Sequence, residues 1–160
     1  MSRWVQTPPR LLWQRAAVMP GVELETSTRD GHVVVALRGE LDVSDAAGVE
    51  AAIAAEVAPG QSLIIDMSAL DFMDCASLAA LLRVQGLARN FGGDVVLAAP
   101  PRRARRLLVL SGQDQVFRVH PSVEAAVVSI ASRRRLYAVA GPAVSTGSPG
   151  RAAPLGTGTG

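Results

Sequence analysis

The stretch Asp66-Met67-Ser68-Ala69-Leu70-Asp71-Phe72-Met73-Asp74-Cys75-Ala76-Ser77-Leu78 decides the reading of this chain. The apolar run Leu63-Ile64-Ile65 before it predicts a buried strand from Ser62 that ends at Asp66. A second short hydrophobic step ends at Asp74. A helix then begins at once. Asp74 is its natural N-cap, because a carboxylate accepts hydrogen bonds from amides that the first turn leaves without partners. Leu78, Leu81, Leu82 and Leu87 give that helix an apolar face through about Asn90, and Phe91-Gly92-Gly93 ends it. Cys75 lies in the first turn, where free amides and partial positive charge favour an anion.

Toward the N-terminus, Val22 to Thr26 alternates as a strand, Arg29-Asp30-Gly31 signals a turn, and His32 to Leu37 is a buried strand. The two form an antiparallel hairpin, which ends at Gly39-Glu40-Leu41-Asp42. Ser44 or Asp45 is placed to cap the following helix, in which Val49, Ala52, Ile53 and Val57 recur at helical spacing before Pro59-Gly60. Toward the C-terminus come a strand over Asp94–Ala98, a helix opened by Pro100-Pro101, and a strand over Val116–Val119. A last helix is capped by Ser122 and packed through Val123, Ala126, Val127 and Ile130. The order predicts an α/β fold: a mixed sheet of about five strands, covered by about four helices. Strands separated by helices pair in parallel through right-handed crossovers.

Two motifs together resemble the STAS family, the domain of bacterial anti-sigma-factor antagonists: the aspartate–helix run above and Gly39-Glu40-Leu41-Asp42. The matching family run reads D-x-S-x-[LV]-x-[FY]-[MI]-D-S-[SA]-G-L. The resemblance covers about residues 22–131 and implies an antagonist-like STAS fold. It also implies a role: binding an anti-sigma factor of GHKL-type serine-kinase fold, so that a sigma factor is released. In the family, the kinase phosphorylates the serine after the second aspartate, and about two negative charges then break the contact. Cys75 stands at that position here. A thiol is close to a hydroxyl in size but is not an ordinary serine-kinase substrate, so the expected state is locked binding competence. The implied partner-binding residues are Glu40, Asp42, Asp74, Cys75, Ala76, Ser77 and Leu78.

Departures from the pattern accompany this one. Ser77 replaces the usual glycine. It is a second candidate phosphoacceptor, although two helical positions turn it about 200° away from Cys75. Asp45 stands where the family has threonine, and Gln113 follows Ser111-Gly112 where an apolar residue is usual. Ser68 matches the family serine and reads as a turn or cap. Asp42 reads either as a partner contact or as a cap for the next helix.

Composition bounds the alternatives. In 160 residues, 49% are hydrophobic but only 4% aromatic, so one aliphatic core is expected. No apolar run reaches the roughly 18–20 residues of a membrane span, and residues 1–20 lack a signal-peptide core, which reads as cytoplasmic. Cys75 is the only cysteine and His32 and His120 the only histidines, so no disulfide or metal site is expected and no base for thiol catalysis is in view. No cofactor or Walker loop is indicated. All 14 acids fall between Glu23 and Glu124, against nine arginines, a local charge of −5, while the other seven arginines lie in the flanks and lysine is absent. An acidic domain argues against nucleic acid as partner. Arg102, Arg103, Arg105 and Arg106 crowd one helix, two facing solvent and others pairing with domain acids.

Residues 1–21 read as an N-terminal arm or as an over-extended reading frame with Met19 as the start. Residues 22–134 form the domain. Residues 135–160, rich in Gly, Pro, Ser and Ala, cannot offset ordering entropy and read as disordered. Two further roles compete with antagonism: a scaffold or sensor subunit assembling with other STAS proteins, and a thiol redox sensor at Cys75. For the latter, a helix start favours a thiolate while Asp74 and Asp42 oppose it.

Overall fold

A computed structural model describes residues 15–140. Eleven elements follow in order: β1 (Arg15–Val18), β2 (Val22–Arg29), β3 (His32–Leu41), α1 (Val43–Ala54), β4 (Leu63–Met73), α2 (Cys75–Asn90), β5 (Val95–Ala98), α3 (Arg102–Leu110), a 3-10 turn (Gln113–Gln115), β6 (Arg118–His120) and α4 (Val123–Ala140). The sheet has six strands in sequential order, β1 to β6, one more than the sequence suggests. The added strand is β1, which pairs antiparallel with β2 and places Arg15–Val18 of the expected arm inside the sheet. At the other end, residues 135–140 continue α4, past the expected domain boundary at 134. Residues 1–14 and 141–160 lie outside the described residues.

The β2–β3 hairpin turns on Asp30 and Gly31, at φ 49° and 79°. Two left-handed residues match the twist of the flanking strands, and an Asp-Gly pair adopts them at low cost. From β3 onward every pairing is parallel. Each crossover steps the sheet in the same direction, so one handedness puts α1, α2 and α3 on one face. The side-chain alternation of strands then sorts the core. Leu37, Ile65 and Leu97 pack with Val49, Ile53, Leu81 and Leu108 beneath those three helices. Val34, Ile64 and Val96 point the other way, onto Val123, Ala126, Val127 and Ile130 of α4.

β4 runs unbroken from Leu63 to Met73, so the two hydrophobic steps of the sequence are one strand. Against β3 its register slips twice: Ala36 faces Asp66 while Arg38 faces Ala69, and Gly39 faces Leu70 while Glu40 faces Phe72. Each slip is an extra residue in β4. The Asp66 carboxylate accepts a hydrogen bond from the Ser68 amide (3.0 Å), satisfying a donor at the first slip. The second slip leaves Phe72 on the surface, 40% exposed, while Met73 stays buried.

The four arginines of α3 are all exposed, and none forms a salt bridge among the described residues. The expectation that some pair with domain acids is therefore not met: the helix projects them away from the carboxylates, which lie on other elements. No helix among the described residues is long and apolar enough to cross a membrane.

Candidate functional site

The β3–α1 and β4–α2 junctions lie side by side, because their strands are neighbours running in the same direction. Each strand ends in an aspartate, and each aspartate caps the helix that follows. Asp42, not Ser44 or Asp45, is the N-cap of α1, its Oδ1 accepting from the Ser44 amide at 2.8 Å. Ser44 also donates its hydroxyl to the same oxygen. These two bonds hold the Asp42 carboxyl below its ordinary value of 3.8.

Asp45 does something different. It is buried in the first turn of α1, at 2% exposure, and accepts from the Gly21 amide at 3.1 Å. Gly21 in turn accepts from the Glu40 amide at 2.8 Å. The turn after β1 is thus folded onto the Gly39-Glu40-Leu41-Asp42 loop. Gly39 has φ 95°, and a Cβ there would sit 2.6 Å from the Gly21 carbonyl oxygen, so both conformation and space require glycine.

Asp74 joins the two junctions. Its Oδ1 accepts from the Ser77 amide (2.9 Å) and the Ser77 hydroxyl (2.7 Å), capping α2. Its Oδ2 accepts from the Val43 amide (2.9 Å), the first residue of α1. The single Ser77 hydroxyl hydrogen is shared between that carboxylate and the Leu41 carbonyl, which lies 2.8 Å from the Ser77 oxygen. One carboxylate and one hydroxyl therefore bind two helix starts to a strand end.

This network corrects two site expectations. Ser77 is fully buried, so it neither faces a partner nor offers its hydroxyl to a kinase. The turn around the helix axis that separates it from Cys75 carries it into the interior. Leu78 is 4% exposed and belongs to the core beneath α2. Cys75 itself is exposed and free. Glu40 is exposed and Asp42, Asp74 and Ala76 are half-buried, so five of the seven expected residues reach the surface. Beside them are two apolar side chains that the sequence reading passed over: Phe72 and Val43, the latter 70% exposed. A signal for Val43 was present, since it stands off the helical repeat of Val49, Ala52, Ile53 and Val57 that marks the buried face of α1. None existed for Phe72, whose outward aim depends on the register slip.

The surface thus combines a free thiol, two exposed apolar groups and the carboxylates Glu40, Asp42 and Asp74. Among the described residues no group of three or more His, Cys, Asp and Glu side chains could hold a metal ion. Neither histidine lies in these junctions. The arrangement suits contact with another protein.

The STAS domain family model matches residues 23–126. The anti-sigma-F factor antagonist RsfA of Mycobacterium tuberculosis is 33% identical over 102 residues, covering 61% of this chain and 79% of that protein. The putative anti-sigma factor antagonist BtrV of Bordetella bronchiseptica is 31% identical over 101 residues, covering 62% of this chain and 87% of that protein. Among solved structures, an anti-sigma factor antagonist from Mycobacterium paratuberculosis superposes with a TM-score of 0.62 at 29% identity, covering 71% of this chain and 97% of that one. With the family model spanning both motifs and every strand from β2 to β6, the chain belongs to the STAS domain family.

Proposed function

We propose that this protein is a non-enzymatic, cytoplasmic antagonist that binds an anti-sigma factor of GHKL-type serine-kinase fold and so frees a sigma factor. Residues 22–134 would carry this activity. The observation that supports it is the placement of Cys75: exposed at the first position of α2, at paired strand–helix junctions that also expose Phe72 and Val43, on a backbone held by Asp74 and Ser77. An isosteric thiol leaves such a surface open to the partner. With Ser77 buried, the helix start offers a kinase no hydroxyl, so the antagonist would act without phosphoregulation there.

The test is affinity purification from the native cell with wild type and Cys75→Asp, bound proteins being read by mass spectrometry. Wild type is expected to retain a small ATPase of serine-kinase fold and Cys75→Asp to lose it, since an unscreened carboxylate mimics part of a phosphate's charge. Retention of the same unrelated proteins by both would sink the reading. Stoichiometric phosphorylation of wild type by the retained kinase would refute the absence of phosphoregulation while leaving antagonism intact.

A further inference from the structure

Helix α3 and the edge strand β6 leave a groove between them. A cavity of about 620 Å³ is lined by Leu108 and Val109 of α3 and by Phe117, Val119 and Pro121 on and beside β6. That volume lies within the roughly 300–1,000 Å³ of binding clefts. A second hollow of about 290 Å³ lies on α3 itself, among Arg102, Arg105, Arg106, Val109 and Leu110. Arg105 and Val109 border both. Positions 102, 105, 106 and 109 share one helical face, so the two hollows flank a single exposed ridge. At its end Val109 is 56% exposed and Leu110 75%. Neither hollow is lined by Cys75 or its neighbours.

We propose that this groove docks an acidic amphipathic helix of a partner protein, at a surface separate from Cys75. Charge complementarity carries the choice. Arg102, Arg103, Arg105 and Arg106 fill the first turns of α3, and no acidic residue stands between Asp94 and Asp114. Asp94 is already taken by Arg118 at 2.8 Å. The start of a helix carries partial positive charge, so cations there oppose the fold, and a sequence selected for stability puts acids in those positions. The first turn of α3 has none, and its N-cap, Pro101, supplies no side-chain cap. A local rule broken in this way marks a functional surface. The acids of a bound helix compensate the arginines, and its apolar side chains cover Val109 and Leu110.

The groove is not uniform in charge. Asp114 lines it at the far end, where the C-terminus of α3 adds about half a negative charge. His120, held below its ordinary pKa by burial and by Arg118, adds no charge at neutral pH. The bound helix therefore sets its acids over Arg102–Arg106 and an uncharged or basic turn over Asp114. An extended segment fits less well: β6 offers an edge of only three residues, closed by Pro121, which has no amide. A lipid surface also attracts arginine mixed with aliphatic groups, but it is flat on this scale and does not fill a hollow.

Heteronuclear NMR titration of the full chain with two synthetic helical peptides of about 18 residues tests the site. Both carry leucine at every third or fourth position. One has glutamates clustered in one half, and the other has arginines in their place. Saturable shifts are expected with the acidic peptide at Arg105, Val109, Gln115 and Val119, with the Cys75 amide unmoved, and none with the basic peptide. Val109→Gln/Leu110→Gln is expected to weaken binding about tenfold. Arg102→Glu/Arg103→Glu is expected to weaken it about tenfold or more while raising Tm, because acids suit the helix start. Arg133→Ala/Arg134→Ala should change it by less than about twofold. Absence of saturation up to about 1 mM acidic peptide overturns the proposal. So does an equal loss in the Arg133/Arg134 variant, which would mean general attraction to positive charge. A fall in Tm for the glutamate pair would show that the arginines serve the fold, and overturns it as well. Binding of wild type to phosphatidylglycerol vesicles that the acidic peptide does not displace would assign the face to lipid instead.

Discussion

The two strand–aspartate–helix junctions share one local design and differ in what surrounds it. Leu41-Asp42-Val43-Ser44 and Met73-Asp74-Cys75-Ala76-Ser77 each end a parallel strand with a capping carboxylate. Asp42 bonds only within its own turn, to Ser44. Asp74 bonds its own helix and the start of the neighbouring one. The same residue type is therefore a local cap in one place and a tie between elements in the other. That difference ties the start of α2, where Cys75 is exposed, to the start of α1.

The largest expected effect comes from removing the tie. Asp74→Ala forfeits an N-cap and the bond to the Val43 amide and strips Ser77 of an acceptor, so a loss of about 2–3 kcal/mol is expected from urea unfolding. A loss no greater than that of Asp42→Ala would erase the distinction between the junctions. Ser77→Ala removes one buried hydroxyl. The Leu41 carbonyl keeps the Asp74 amide as a donor at 3.3 Å, so the cost is expected near 1 kcal/mol. Combined with Asp74→Ala it should cost less than the sum, because the two share a network.

Asp42→Ala is the smallest change, since it removes one local cap and no contact between elements. Its pH dependence sharpens the comparison. The folded carboxyl titrates below its ordinary 3.8, so the stabilisation is present above that value and fades as pH falls through the folded pKa. Ser44→Ala should move the Asp42 carboxyl back up, read from side-chain carbon shifts in an acid titration. An unchanged titration would show that Ser44 does not set it.

Much of this was legible in the residues themselves. The hairpin at Asp30-Gly31 and the cap at Asp74 rest on chemistry within a few positions, and both stand where the sequence places them. Even so, Asp42 captures the cap expected of Ser44 or Asp45, because Asp45 is drawn inward by the Gly21 amide, 24 residues away in sequence. The need for Gly39 is likewise invisible locally, since the atom that excludes a side chain belongs to Gly21. β1 escaped notice because four residues without clear alternation become a strand only beside β2.

The sequence by itself determined the element order from β2 to α4, the mixed α/β class, the capping aspartate at Asp74 and the substitution at Cys75, all properties of short-range hydrogen bonding and hydrophobic period. Only the tertiary structure decided that Ser77 is enclosed, that Phe72 faces outward, that Asp74 links two helices and that Val109 and Phe117 share a cavity. Each of these depends on strand register and on the packing of elements distant in the chain. A one-residue slip in β4 changes which side chains reach the surface, and nothing in the local sequence fixes that slip.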